Sequence, residues 1–213
     1  MTDAVSNAWR RIAGWLTVHA PGTAAQVRGP ADPEEIDALE RDVGVPLPAE
    51  LRAWWLLTDG FAPGVLHALI PWIHVPLPVT KARAERRWLV RLSAGTPRYA
   101  DVDDSAAGTF SQRYQHTFVP ISTDNCGQVN FVDLRVGPAH GCVSEWDHEE
   151  GFLQPPTWTG VTDMLTDIAD ALEFGRPAMV EFAERLRAAG SASDPRAWAG
   201  VLPDGELEWN DSP

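Results

Sequence analysis

Three short runs rich in branched and aromatic residues follow one another between Phe118 and Trp146: Phe118 to Ile121, Val129 to Leu134, and Cys142 to Trp146. Asp124-Asn125-Cys126-Gly127 divides the first two, and Gly137-Pro138-Ala139-His140-Gly141 the last two. Runs this short, separated by turn residues, predict an antiparallel meander. Asn125 and Gly127 can take the positive φ that tight turns demand.

Helical patterns flank this unit. In residues 3–19, Val5, Ala8, Trp9, Ile12 and Leu16 recur at three- and four-residue spacing. Asp32 suits an N-cap, Pro33 the first helical position and Glu35 a capping-box spacing, with Ile36, Leu39 and Val43 as the buried stripe and Gly44 as the stop. Pro46 and Pro48 keep this helix apart from the next, about 48–58, which carries Leu51, Trp54, Trp55 and Leu57. Five Pro and Gly residues break 61–80 into irregular pieces or short strands. Residues 80–93 read as a helix with a basic side, and 95–110 as a mobile acidic loop. A helix at about 160–174, capped by Thr159, buries Val161, Leu165, Ile168 and Leu172; another starts at Pro177 with Met179, Phe182, Ala183 and Leu186. The tail, 190–213, reads as loosely packed, although Trp198 and Trp209 argue that part of it docks. Helices first, strands in the middle and helices last give an α+β class, a mainly antiparallel central sheet with helices on one face.

The 213 residues suffice to bury a core without disulfides or metals. The net charge of −13 repels nucleic acid and anionic headgroups and attracts basic partners, or else serves solubility alone. Cys126 and Cys142 are too few for a disulfide framework. No apolar run approaches the ~20 residues that span a bilayer. Asp3, Arg10 and Arg11 interrupt any signal-peptide plan, so a cytoplasmic protein with reduced thiols is expected.

Three ordered segments resemble the SUKH superfamily of bacterial immunity proteins and Smi/Knr-type cell-wall assembly regulators. Ile36 to Phe61 has an acidic helix, a Leu47-Pro48 joint, an aromatic helix and a terminal Asp59-Gly60; Phe118 to Leu134 has strand, Asp/Gly turn and strand ending in Asp133-Leu134; Gly141 to Asp147 is similar to the strand after the family's glycine turn. The resemblance covers roughly Trp9 to Gly175, giving a SUKH-like unit at 1–175 and an extension at 176–213. Cys126, the basic stretch around 81–98 and the extension depart from the pattern. The resemblance implies no catalysis and no cofactor, and binding of a protein: a basic toxin or nuclease to be neutralised, or alternatively cell-wall synthesis proteins. An uncharacterised hydrolase is a third expectation.

The candidate partner-binding residues are Asp124, Asp133, Glu145, Trp146, Asp147, Glu149 and Glu150. Asp124 and Asp133 could meet a basic partner, but turn Asp residues more often bond their own backbone or pair locally. The acidic run around Trp146 resembles an interaction hot spot, or else a solvated loop after a strand. Among His116, Cys126, His140, Cys142 and His148, only His140 and Cys142 are close, which does not fit paired zinc ligands, and Asp101, Asp103 and Asp104 lack the rest of a calcium loop. No nucleophile elbow, phosphate loop or dinucleotide glycine pattern is present. The six basic residues of Lys81–Arg98 are expected to pair with acidic groups of the protein itself or of a dimer mate. Trp9, Trp54 and Trp88 are expected in the core.

Overall fold

A computed structural model of the chain describes residues 2–62, 68–94, 105–148, 151–152 and 155–213. The chain begins with α1 (Thr2–His19) and the short α2 (Pro21–Ala24). All five residues of the α1 stripe are buried, and each large aliphatic among them contributes roughly 1.5–3 kcal/mol before chain entropy is counted. α3 (Pro33–Val43) starts where the sequence places it: the Asp32 carboxylate accepts from the Glu34 N–H at 2.9 Å. Glu35 faces Arg83 at 3.8 Å. Gly44 ends the helix at φ 82°, a left-handed conformation that costs glycine nothing.

α4 (Ala49–Trp55) buries Leu51, Trp54 and Trp55. Its Glu50 has a second task that sequence reading assigns to Thr159. The N-terminus of α6 (Val161–Phe174) is closed by the Glu50 carboxylate, which accepts from the N–H of Val161 at 2.9 Å and of Thr162 at 3.1 Å, and from the Thr162 hydroxyl. A Cβ at Gly160 would lie 2.4 Å from Glu50 Oε1, so glycine there makes room for the carboxylate. Thr159 donates its N–H and hydroxyl to Asp163 instead.

The strands are β1 (Val75–Pro76), β2 (Phe118–Thr123), β3 (Gln128–Asp133), β4 (Val143–Asp147) and β5 (Gly151–Phe152). They form an antiparallel sheet in the order β1-β2-β3-β4-β5, the expected meander with a short strand at each edge. Asn125 and Gly127 have φ of 60° and 124°. Val119, Val132 and Val143 share the main core with α1, α3, α4 and α6. Side chains alternate across a strand, so Phe131, Val129 and Trp146 point the other way, into an aromatic cluster with Phe118 and Tyr114. α5 (Val79–Ala94) reaches both cores: Val79 and Ala82 join the first, Leu89 the second.

The basic side of α5 is largely spent within the molecule. Arg83 and Arg87 pair with Asp42, and the Arg86 guanidinium donates to the His116 carbonyl. Trp9 and Trp54 are core residues, but Trp88 is 47% exposed, because its position on α5 turns away from both clusters.

The C-terminal segment is not loosely packed. α7 (Val180–Ala188) is followed by a hairpin of β6 (Trp198–Val201) and β7 (Leu207–Asn210). Leu207 and Trp209 join the main core, the Leu207 N–H donates to Thr23 Oγ1 at 2.8 Å, and the Trp209 indole N–H donates to the Leu69 carbonyl at 3.3 Å. One apolar core therefore runs from Val5 in α1 to Trp209 in β7. The expected loop at 95–110 is described only from 105, and that part is held in place by the ion pair treated next; Asp101, Asp103 and Asp104 lie outside the described residues.

Candidate partner-binding site

Two of the acidic residues singled out above, Asp124 and Asp133, are committed to the fold. Asp124 Oδ1 accepts from the N–H groups of Cys126, Gly127 and Gln128 at 2.7, 2.9 and 2.8 Å, which closes the β2–β3 turn. Asp133 is wholly buried. Its carboxylate takes the Arg135 guanidinium at 2.7 Å and the Gly108 N–H at 2.9 Å. Arg135 also donates to Ser105 Oγ and the Thr109 carbonyl, and lies over the Phe118 ring. Asp133 is thus a clamp for the 105–109 segment and offers nothing to a partner. Trp146 is fully buried against Tyr114, with ring centroids 5.3 Å apart, so it is no surface hot spot. Strand alternation explains this: β4 extends through Asp147, so Trp146 points opposite to Glu145 and Asp147.

Glu145 is different. It stands opposite Asn130 on β3, which stands opposite Ser122 on β2, so one polar row crosses three strands. The Asn130 amide donates to Ser122 Oγ at 3.0 Å. Glu145 Oε2 meets His74 Nε2 at 2.9 Å, and its side chain stays 33% exposed. Two pairs along, Asp147 is half-buried and accepts from Gln128 Nε2 at 3.1 Å. Glu149 and Glu150 lie outside the described residues.

Glu145 and Asn130 border a concavity of about 590 Å³ whose sides include Trp72, Trp158, Met179, Phe182 and Leu186. Met179, Phe182 and Leu186 were legible as one face of a helix. That this face would stand across from β4 was not, since nothing local links α7 to the sheet. His74 carried no signal at all.

Two other concavities differ in charge. One of about 640 Å³ beside α5 has Lys81 next to Glu85, whose carboxyl is pushed up by burial. One of about 280 Å³ beside α6 sets Arg176 and Arg185 among Asp163, Asp167, Asp170 and Glu181. Both contain their own counter-charges, whereas among the described residues the Glu145 groove has a single carboxylate and no Lys or Arg in its lining.

Burial pushes the Cys142 thiol up to about 11, so it is protonated at neutral pH; Cys126 is exposed. Among the described residues no group of three or more His, Cys, Asp or Glu could hold a metal ion, and no helix is long and apolar enough to cross a membrane.

An α+β domain built on a short antiparallel meander, with a largely apolar groove holding one carboxylate beside β4, defines the class. The family model of SMI1 / KNR4 (SUKH-1) matches residues 30–167, more than half of the chain. The chain belongs to the SMI1 / KNR4 family (SUKH-1). No curated protein matches it. The matched segment opens before α3 and ends within α6, so α1, α7 and the β6–β7 hairpin lie outside it.

Proposed function

We propose that the chain is a non-enzymatic protein-binding module that neutralises a cognate basic toxin by covering its charged surface. The observation that carries this reading is where the arginines go. Arg83 and Arg87 are taken by Asp42, Arg135 by Asp133, Arg11 by Asp170 and Glu173, Arg28 by Asp59, and Arg52 by Asp37. The cations hold the fold together, while 30 acidic against 17 basic residues leave an excess of 13 negative charges. Such a surface raises the association rate with a basic protein and repels nucleic acid and anionic lipid. Membership of the SMI1 / KNR4 family supports the reading.

The test is capture by the purified full chain from cells expressing any toxin genes found beside its own, read by mass spectrometry. A stoichiometric basic protein, binding more slowly as salt rises, supports neutralisation. Recovery of cell-wall synthesis enzymes instead would replace it with a regulatory role. Neutralising Glu145, Asp147, Glu149 and Glu150 together should abolish capture; unchanged affinity rules that surface out.

A further inference from the structure

We infer that the groove between β4 and α7 receives a segment of a protein partner that inserts one arginine or lysine side chain between apolar neighbours. This rests on the protein-binding reading above and names the chemistry of the contact. Glu145 is the one charged group in the lining among the described residues. Its carboxylate is a third exposed, one oxygen is held by His74, and the other has no hydrogen-bond partner among the described residues. A carboxylate at the edge of a groove with no other charged group among the described residues favours a cation, and the half-buried Trp72 adds ring surface to which a guanidinium or ammonium is drawn. Phe182 and Leu186 form the apolar side that would take the neighbouring residues.

The walls come from two sources. Trp72, Glu145 and Trp158 lie within the family match at 30–167, and Phe182 and Leu186 lie beyond it. The family sheet supplies the charge, and the C-terminal helix turns an open sheet end into a groove. That helix is held there by Asp167, whose Oδ2 accepts both the Trp158 indole N–H at 2.9 Å and the Met179 N–H at 2.8 Å. Selectivity for the residues flanking the cation therefore resides in α7, outside the family segment.

The test uses the isotope-labelled full chain and capped tripeptides Leu-Arg-Leu, Leu-Lys-Leu, Leu-Glu-Leu and Leu-Ala-Leu, with the indole N–H signals of Trp72 and Trp158 as readout. The two cationic peptides should shift both signals in a saturable way, and the Glu and Ala peptides should not. Glu145→Gln, which keeps an acceptor for His74, should weaken the cationic peptides about 10- to 100-fold, the usual range for a lost charge-assisted hydrogen bond. Leu186→Ser should weaken them too while preserving the preference for a cation. Equal shifts by all four peptides, no shift by any, or binding that survives Glu145→Gln would overturn the proposal. So would arginine amide binding as tightly as Leu-Arg-Leu, because the site would then be a small-cation pocket. The two readings fail separately. Selective peptide binding with no protein captured sinks neutralisation and leaves the groove standing. A captured toxin indifferent to both variants does the reverse.

Discussion

Asp133 and Glu145 lie on adjacent strands of one sheet, on opposite faces, and their carboxylates have opposite fates. Asp133 shares a face with Phe131 and the aromatic cluster, where it is fully buried and paired with Arg135. Glu145 stands opposite Asn130 on the other face and stays a third exposed with one oxygen on His74. Acidic composition alone makes the two equivalent. The pleat separates them, because a one-residue change of position along a strand moves a side chain from one environment to the other. Charge available to a partner is what remains after the fold has used its share.

The sharpest way to break this comparison is to remove the buried charge. Asp133→Ala leaves Arg135 desolvated without its partner and frees the Gly108 N–H. It should cost about 3–5 kcal/mol of unfolding free energy, measured by urea titration. A loss below about 1 kcal/mol would place Asp133 in the same class as a surface acid. Next comes the tail that follows the groove's second wall. Trp209→Ala should cost about 3 kcal/mol, the low end for a buried tryptophan, since the ring lies at the margin of the core. If the hairpin were merely appended, the same variant would be silent.

Much of this architecture was legible in the sequence. The α1 stripe, the Asp32 and Gly44 helix ends and the three-strand meander follow from short-range periodicity and turn chemistry, which act within a few residues. What was not legible depends on distant partners. Glu50 reaches across 111 positions to close α6, displacing Thr159 from that role. Trp209 docks on Leu69 across 140 positions: the ring announced that part of the tail docks, but nothing local says where. The candidate site was legible in part. Glu145 was named, but with Trp146 as its companion, although the strand throws the two to opposite faces. The surrounding wall is a meeting of β4 with α7, and no local pattern announces it.

Two further carboxylates sharpen the distinction between acids spent on the fold and acids left over. Glu50→Ala removes the acceptor of two backbone N–H groups at the start of α6 and a charge that favours a helix N-terminus. Its expected cost is about 1–2 kcal/mol, readable in the same titration. Asp167 is tested through pH. Burial raises its carboxyl above the ordinary range despite the bonds from Trp158 and Met179. The folded state therefore holds this proton more tightly than the unfolded chain does. Its contribution is fully present below the unfolded pKa and is lost as pH rises through the folded one. Asp167→Asn keeps an acceptor for both donors and cannot ionise. Stability of the parent minus that of this variant should fall as pH rises across that window; a flat difference would show that the group titrates alike in both states.

The smallest effect on stability belongs to Glu145→Gln. The side chain is a third exposed, and a glutamine oxygen can still accept from His74 Nε2. The change should therefore cost less than about 1 kcal/mol. Removing the same charge should nonetheless weaken binding of a cationic segment by an order of magnitude or more. The dissociation of these two readouts is the point. Asp133 should be expensive to remove and irrelevant to any partner except through unfolding, and Glu145 should be cheap to remove and decisive for one. A large stability loss at Glu145 would mean that it, too, is held by the fold, and the groove would then have no charge to offer.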